Sequence, residues 1–139
     1  MTELTKQEQF VEAARKYIGV KYRHQGRSPH GMDCVGLLVL AANDIGADTS
    51  GDVTNYSRLP HGVLLPILDQ LLVKVPDDEE WKTGDVLVMK FLNEPTHVGI
   101  WTGSTLIHTY STLEKVVEHR LDDKWRKRVV SAYRLKEFL

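Results

Sequence analysis

The chain has 139 residues, of which 42% are hydrophobic and 27% charged, and a formal net charge of −1. Those values predict one globular domain over 1–139 with a core of its own, α+β by the order of its elements, and they exclude a strongly basic surface drawn to nucleic acid. The longest apolar run, residues 35–42, is too short to span a bilayer. A single cysteine rules out an intrachain disulfide. The opening "MTELTKQEQF" is polar and acidic, without the basic and apolar regions of a signal peptide, so synthesis in the cytoplasm without one is expected.

The first element reads as a helix. Thr5 and Glu8 have capping-box spacing, Phe10, Val11, Ala14, Tyr17 and Ile18 recur at helical period, and Gly19 supplies a stop. A polar loop follows, "VKYRHQGRSPHGM", rich in rings and cations. Asp33 is a good N-cap residue, and a second helix starts at Cys34 with Leu37, Leu38, Ala41, Ala42 and Ile45 on one face and Gly46 after it. Residues 47–61 read as loop and 62–72 as a third, shorter helix, which Pro66 permits only in its first turn. Strands dominate beyond residue 73. "KTGD" is a turn, "VLVMKF" a strand, and "THVGIW" and "TLIHTY" form a hairpin through Thr102, Gly103 and Ser104. "KVVEHRL" and "RVVSAYRL" add two more strands. Helices followed by an antiparallel meander imply helices packed on a sheet.

Cys34 is the residue with the most chemistry to explain. A lone cysteine is commonly just a small buried hydrophobe. At the first position of a helix, however, unpaired N–H groups and the dipole favour a thiolate, and the preceding loop carries Lys21, Arg23, Arg27 and two histidines. A nucleophile also needs a base. Of six histidines, His24 and His30 lie in the loop, His61 precedes a helix and His119 sits in a charged strand. His97 and His108 each interrupt an apolar strand of the predicted hairpin. A turn centred between Thr102 and Gly103 places them directly opposite, with Cβ atoms about 5 Å apart; a Gly103–Ser104 turn instead pairs His97 with Tyr110.

Five ordered segments, "GVKYRHQG", "DCVGL", "GDVLVMKF", "HVGIWTG" and "LIHTY", carry a resemblance to the NlpC/P60 family of papain-like cysteine peptidases. The family pattern runs G-x-P-Y-x-W-G-G, D-C-S-G-[LF], G-D-[LV], H-V-[GA]-I-Y-x-G, then a polar residue on the next strand. The resemblance implies Cys34 as nucleophile, His97 as general base and acid, and His108 as the residue that orients His97. It implies Tyr22 with the Cys34 backbone N–H as oxyanion donors, Asp33 beside them at the substrate-side loop, and no cofactor. It also implies peptidoglycan stem peptides as substrate, with the γ-D-glutamyl to diamino acid bond as the target. The compact form is similar to phage-encoded members, which implies phage tail proteins as partners and a tail-associated location. In this chain Lys21, His24, Gln25 and Val35 stand where the pattern has Pro, Trp, Gly and Ser.

Other readings carry less. Without H-E-x-x-H or C-x-x-C spacing a metal site is not expected. The run "DDKWRKR" reads as a solvated strand edge, "PDDEEW" as an exposed acidic turn, and Trp101 and Tyr110 as core. The rival functions are a papain-like amidase or acyltransferase on another substrate, and a non-catalytic tail component that retains the fold.

Overall fold

The computed structural model describes residues 3–52, 54, 64–91 and 94–139. Helix α1 spans Lys6–Arg15. The Thr5 hydroxyl accepts from the Glu8 N–H at 3.1 Å, while the Thr5 N–H donates to the Glu8 carboxylate at 2.9 Å, which closes the expected capping box. The helix stops before Gly19. Residues 16–18 tighten into i to i−3 turns, and Gly19 (φ +92°) turns the chain away so that its N–H reaches the Val116 carbonyl at 2.9 Å. Ile18 therefore leaves the apolar face and stands exposed.

The polar loop contains a two-residue hairpin, β1 (Arg27–Ser28) and β2 (Gly31–Met32). Helix α2 follows at Cys34–Asp44, with Asp33 as its N-cap. Sequence periodicity assigns α2 one apolar face, yet it is buried nearly all round, Val35, Gly36 and Val39 included. It lies against α1 on one side and the sheet on the other. Helix α3 is Leu64–Leu71, with Leu64, Ile67, Leu68 and Leu71 buried; Pro66 falls in its first turn as required. Residues 62 and 63 of the expected third helix, and His61, lie outside the described residues.

Strands β3 (Leu72–Lys74), β4 (Val86–Phe91), β5 (Glu94–Trp101), β6 (Thr105–His108), β7 (Val117–Arg120) and β8 (Val129–Leu135) form one antiparallel sheet in the order β3-β8-β4-β5-β6-β7. The meander expected from sequence runs from β4 to β7. Strand β8 then crosses back and inserts between β3 and β4. The run "DDKWRKR" is not a strand edge. It forms a one-turn helix, α4 (Asp123–Arg126), because Asp122 caps the Trp125 N–H at 2.9 Å. No helix among the described residues is long and apolar enough to cross a membrane.

Alternation sorts the sheet residues into two faces. Val86, Val88, Val98, Ile100 and Ile107 join the core beneath the helices. Leu87, Met89 and Leu106 form a second, smaller cluster on the other face, against Val75 and Ala132, and Trp81, Trp101 and Trp125 cover it. Trp101 thus belongs to this second cluster, edge-on to Trp81 at 5.7 Å. Across the sheet rim, buried Asp85 accepts two hydrogen bonds from Arg134 at 2.7 and 2.8 Å, and Glu79 of the acidic turn pairs with the same guanidinium.

One contact ties the loop to α2. A Cβ placed on Gly36 would sit 2.1 Å from the backbone carbonyl oxygen of Gly26, so only glycine lets the loop lie on the first turn of the helix. Gly36→Ala is expected to cost about 1–3 kcal/mol, measured as a lower urea midpoint with an unchanged slope.

Candidate active site

Cys34 is the first residue of α2 and is half-buried. The backbones of Val98, the neighbour of His97 on β5, and of Val35 act on the sulfur to favour its charged form. The thiol and His97 both line a cavity of about 250 Å³ between the loop, the starts of α2 and α3, and the ends of β4, β5 and β6. Tyr22, His24, Asp33, Phe91 and Tyr110 share its wall. Tyr110 is therefore a cleft residue and not core. It meets His97 edge-on and Phe91 at a tilt, with ring centroids 5.2 and 5.3 Å apart.

Asp33 holds this wall in place. One carboxylate oxygen accepts from the Gly36 N–H (2.8 Å) and from Arg27 (2.9 Å), and the other from the Gln25 N–H (2.9 Å). Arg27 continues to Asp52 through two further bonds, 2.8 and 3.1 Å long. The carboxylate thus caps the helix and anchors the loop, so that Asp33 supports the cleft wall. Gln25 adopts φ +60°, a left-handed conformation that favours glycine, and its bond to Asp33 helps to hold it there.

The hairpin register decides the histidine geometry. Gly99 pairs with His108 and Trp101 with Leu106, so the turn is Gly103–Ser104, with the Thr102 N–H on the Thr105 carbonyl at 2.9 Å and Gly103 at φ +106°. His97 and His108 are diagonal neighbours on one face rather than directly opposed. His97 Nε2 nevertheless lies 2.7 Å from His108 Nδ1. The room comes from Gly99, where a Cβ would press on the Leu106 side chain at 2.6 Å and the His108 Cβ at 3.1 Å. Next to His97, Met89 pairs with His97 but Lys90 with Pro95. Thr96 is the extra residue of a β-bulge, a common device for re-aiming a side chain at a site.

Two residues that sequence reading left aside complete the arrangement. His119 of β7 puts Nε2 2.7 Å from His108 Nε2. Trp125 of α4 stands edge-on over His108 at 4.7 Å and near His119 at 5.5 Å. The only signals were a third histidine at strand spacing and a tryptophan inside a basic run.

Burial sets the charge state. The Cys34 thiol is pushed up to about 12, first by loss of water and then by the neighbouring Asp33 carboxylate. This overturns the expectation of a resting thiolate. A helix terminus contributes about 0.3–1 kcal/mol, up to ~2 in partly buried geometries, and desolvation together with Asp33 outweighs it. His97 is lowered well below its ordinary value by burial, then by His108 and Arg128. His108 falls to about 3 through burial and then His119. Burial in the cleft therefore favours a neutral thiol and neutral His97 and His108.

A helix-borne thiol facing an imidazole on an antiparallel sheet defines a papain-like arrangement. The NlpC/P60 family profile matches residues 19–134, and the chain belongs to that family. A protein described as a probable endopeptidase of Corynebacterium glutamicum is 29% identical over 81% of this chain and 47% of its own length. The chain spans about half the length of the curated relatives it matches. Among solved structures, the NlpC/p60 domain of the peptidoglycan hydrolase SagA has a TM-score of 0.66 at 24% identity, covering 93% of this chain and 98% of that one. The peptidoglycan hydrolase RipB of Mycobacterium tuberculosis has a TM-score of 0.61 at 21% identity, covering 93% and 64%.

Two outcomes follow from the neutral cleft. His108 has a depressed folded value, so the unfolded chain takes up the proton first; its contribution to stability is full above about 6.5 and is lost as pH falls towards 3. By pH 5 the loss from this one group is about 2 kcal/mol, and His108→Gln is expected to flatten that part of a denaturation-versus-pH curve. Alkylation of Cys34 by iodoacetamide, followed by mass spectrometry, should keep accelerating through pH 9. A plateau below pH 7 would contradict the neutral thiol.

Proposed function

We propose that the chain is a cysteine peptidase that hydrolyses amide bonds in peptidoglycan stem peptides, with Cys34, His97 and His108 as its triad. The observation that supports this most is one cleft holding a reachable thiol and an imidazole whose second nitrogen is already bonded to another imidazole. A packing cysteine has no need of that pair. The names of the relatives, a probable endopeptidase and peptidoglycan hydrolases, point to the same chemistry and substrate class.

Because thiol and imidazole both rest neutral, the thiol proton passes to His97 as the sulfur attacks the carbonyl carbon. The new C–S bond leaves a tetrahedral oxyanion, held by the Cys34 backbone N–H at the helix start and by the Tyr22 hydroxyl. His97 returns its proton to the amine as the C–N bond breaks. Water, deprotonated by His97, then cleaves the thioester and the proton goes back to sulfur. His108 accepts from His97 Nε2 throughout and stabilises the transient imidazolium.

The γ-D-glutamyl to diamino acid bond is the specific target we propose, on the strength of the family pattern in "DCVGL" and "HVGIWTG". Phage tail proteins as partners are a further proposal, supported by the family resemblance alone. Purified protein should release fragments from defined muropeptides, read by mass spectrometry, that end at that bond. Cys34→Ala should lower the rate by about 1000-fold or more. Undiminished release by that variant would sink the peptidase reading, and release at another bond would remove only the stated target.

A further inference from the structure

The histidine pair is part of a longer row. His97, His108 and His119 lie on β5, β6 and β7, each diagonal to the next because Gly99 pairs with His108 and Leu106 with His119. His97 Nε2 to His108 Nδ1, His108 Nε2 to His119 Nε2, and His119 Nδ1 to the Arg120 carbonyl oxygen are each 2.7 Å. Five of six ring nitrogens are used, and the sixth is His97 Nδ1.

The direction of this chain is fixed from its outer end. A backbone carbonyl only accepts, so His119 Nδ1 must carry its hydrogen. In neutral His119 the other nitrogen, Nε2, is then an acceptor, and His108 must donate to it from Nε2. His108 Nδ1 is left to accept, so His97 carries its hydrogen on Nε2 and keeps a bare lone pair on Nδ1. The opposite sequence of tautomers would set the His119 Nδ1 lone pair against the Arg120 carbonyl at 2.7 Å. Trp125, edge-on to His108, keeps water from supplying the hydrogen bonds that would let the inner rings switch.

We infer that His119 is a positioning residue: anchored on the Arg120 carbonyl, it relays a single tautomer through His108 to His97 and so keeps His97 Nδ1 free to act as the base. The inference rests on the peptidase reading for its kinetic consequence, but the tautomer itself is observable without any substrate. A neutral base with the wrong tautomer has its hydrogen where the lone pair is needed, a fault that costs orders of magnitude in rate.

The test replaces the relay by side chains of opposite hydrogen-bonding sense. His119→Glu can only accept, His119→Lys only donate, and His119→Leu does neither. Long-range proton–nitrogen NMR spectra of the imidazoles at pH 7.5 should show His97 protonated on Nε2 in the wild type and in His119→Glu. In His119→Lys the hydrogen should appear on Nδ1, and in His119→Leu on a mixture. With muropeptide substrate, His119→Leu should lose roughly tenfold and His119→Lys roughly 100-fold or more in kcat with KM little changed. His119→Glu should recover most of the loss seen in His119→Leu. One tautomer at His97 across all three variants overturns the inference. If the nitrogen spectra follow the donor–acceptor series while even the wild type releases no fragment, the relay stands and the peptidase reading falls.

Discussion

The Asp33 carboxylate is the interaction on which the site depends. Its two oxygens cap α2 at Gly36, fix the loop backbone at Gln25 and hold Arg27. Every one of these bonds is charge-assisted, and such bonds are stronger than neutral ones. The residue is almost fully buried, so the cost of removing its charge from water is offset only if those partners stay in place. Loop, helix start and thiol are thereby locked as one unit. The Gly36 and Gly26 backbones approach closely enough that no side chain fits between them.

The aromatic walls of the cleft also dry it. Phe91, Tyr110 and Trp125 cluster around the His97 and His108 rings, and removing water favours neutral forms of both acid and base. The thiol rises and the imidazoles fall, so the two shifts reinforce one another in keeping the pair uncharged. In the proposed reaction, charge separation waits until a carbonyl is present to receive the sulfur. The resting site is then a weak target for indiscriminate alkylation, although its sulfur is open to the cleft.

Local signals were legible in the sequence where local chemistry decides the structure. The capping box at Thr5, the Asp33 cap, the strand Val86–Phe91 and the pairing of polar rings on one hairpin face all follow from spacing. The register stayed open between two turns, because Thr102, Gly103 and Ser104 suit either; the structure uses Gly103–Ser104, and the diagonal contact survives because both registers keep the two histidines on the same face. What could not be read depends on residues far apart in sequence. The basic run around Trp125 looks solvated, yet its cap folds it into a turn whose indole covers the histidines. The thiolate expectation failed for a related reason: helix position is visible in sequence, whereas burial by another element is not. The second apolar cluster beneath three tryptophans was not legible because most of its members, Leu87, Met89, Leu106 and Ala132, stand beside a residue of the main core.

The placement of β8 has a consequence for the order in which the molecule is built. The described residues lining the cleft lie between positions 22 and 112, so a growing chain contains thiol and imidazoles before β8 is synthesised. Among the described residues strand β3 has no other partner in the sheet, and its pairing joins Leu72 to Leu135. Such distant pairings close slowly, since loop entropy is lost before contacts repay it. Strand β3, which follows the helices, and the β4–β7 meander therefore become a single sheet only once β8 is in place. Arg134 on that strand carries the two bonds to Asp85, which fasten the closure at the moment it forms.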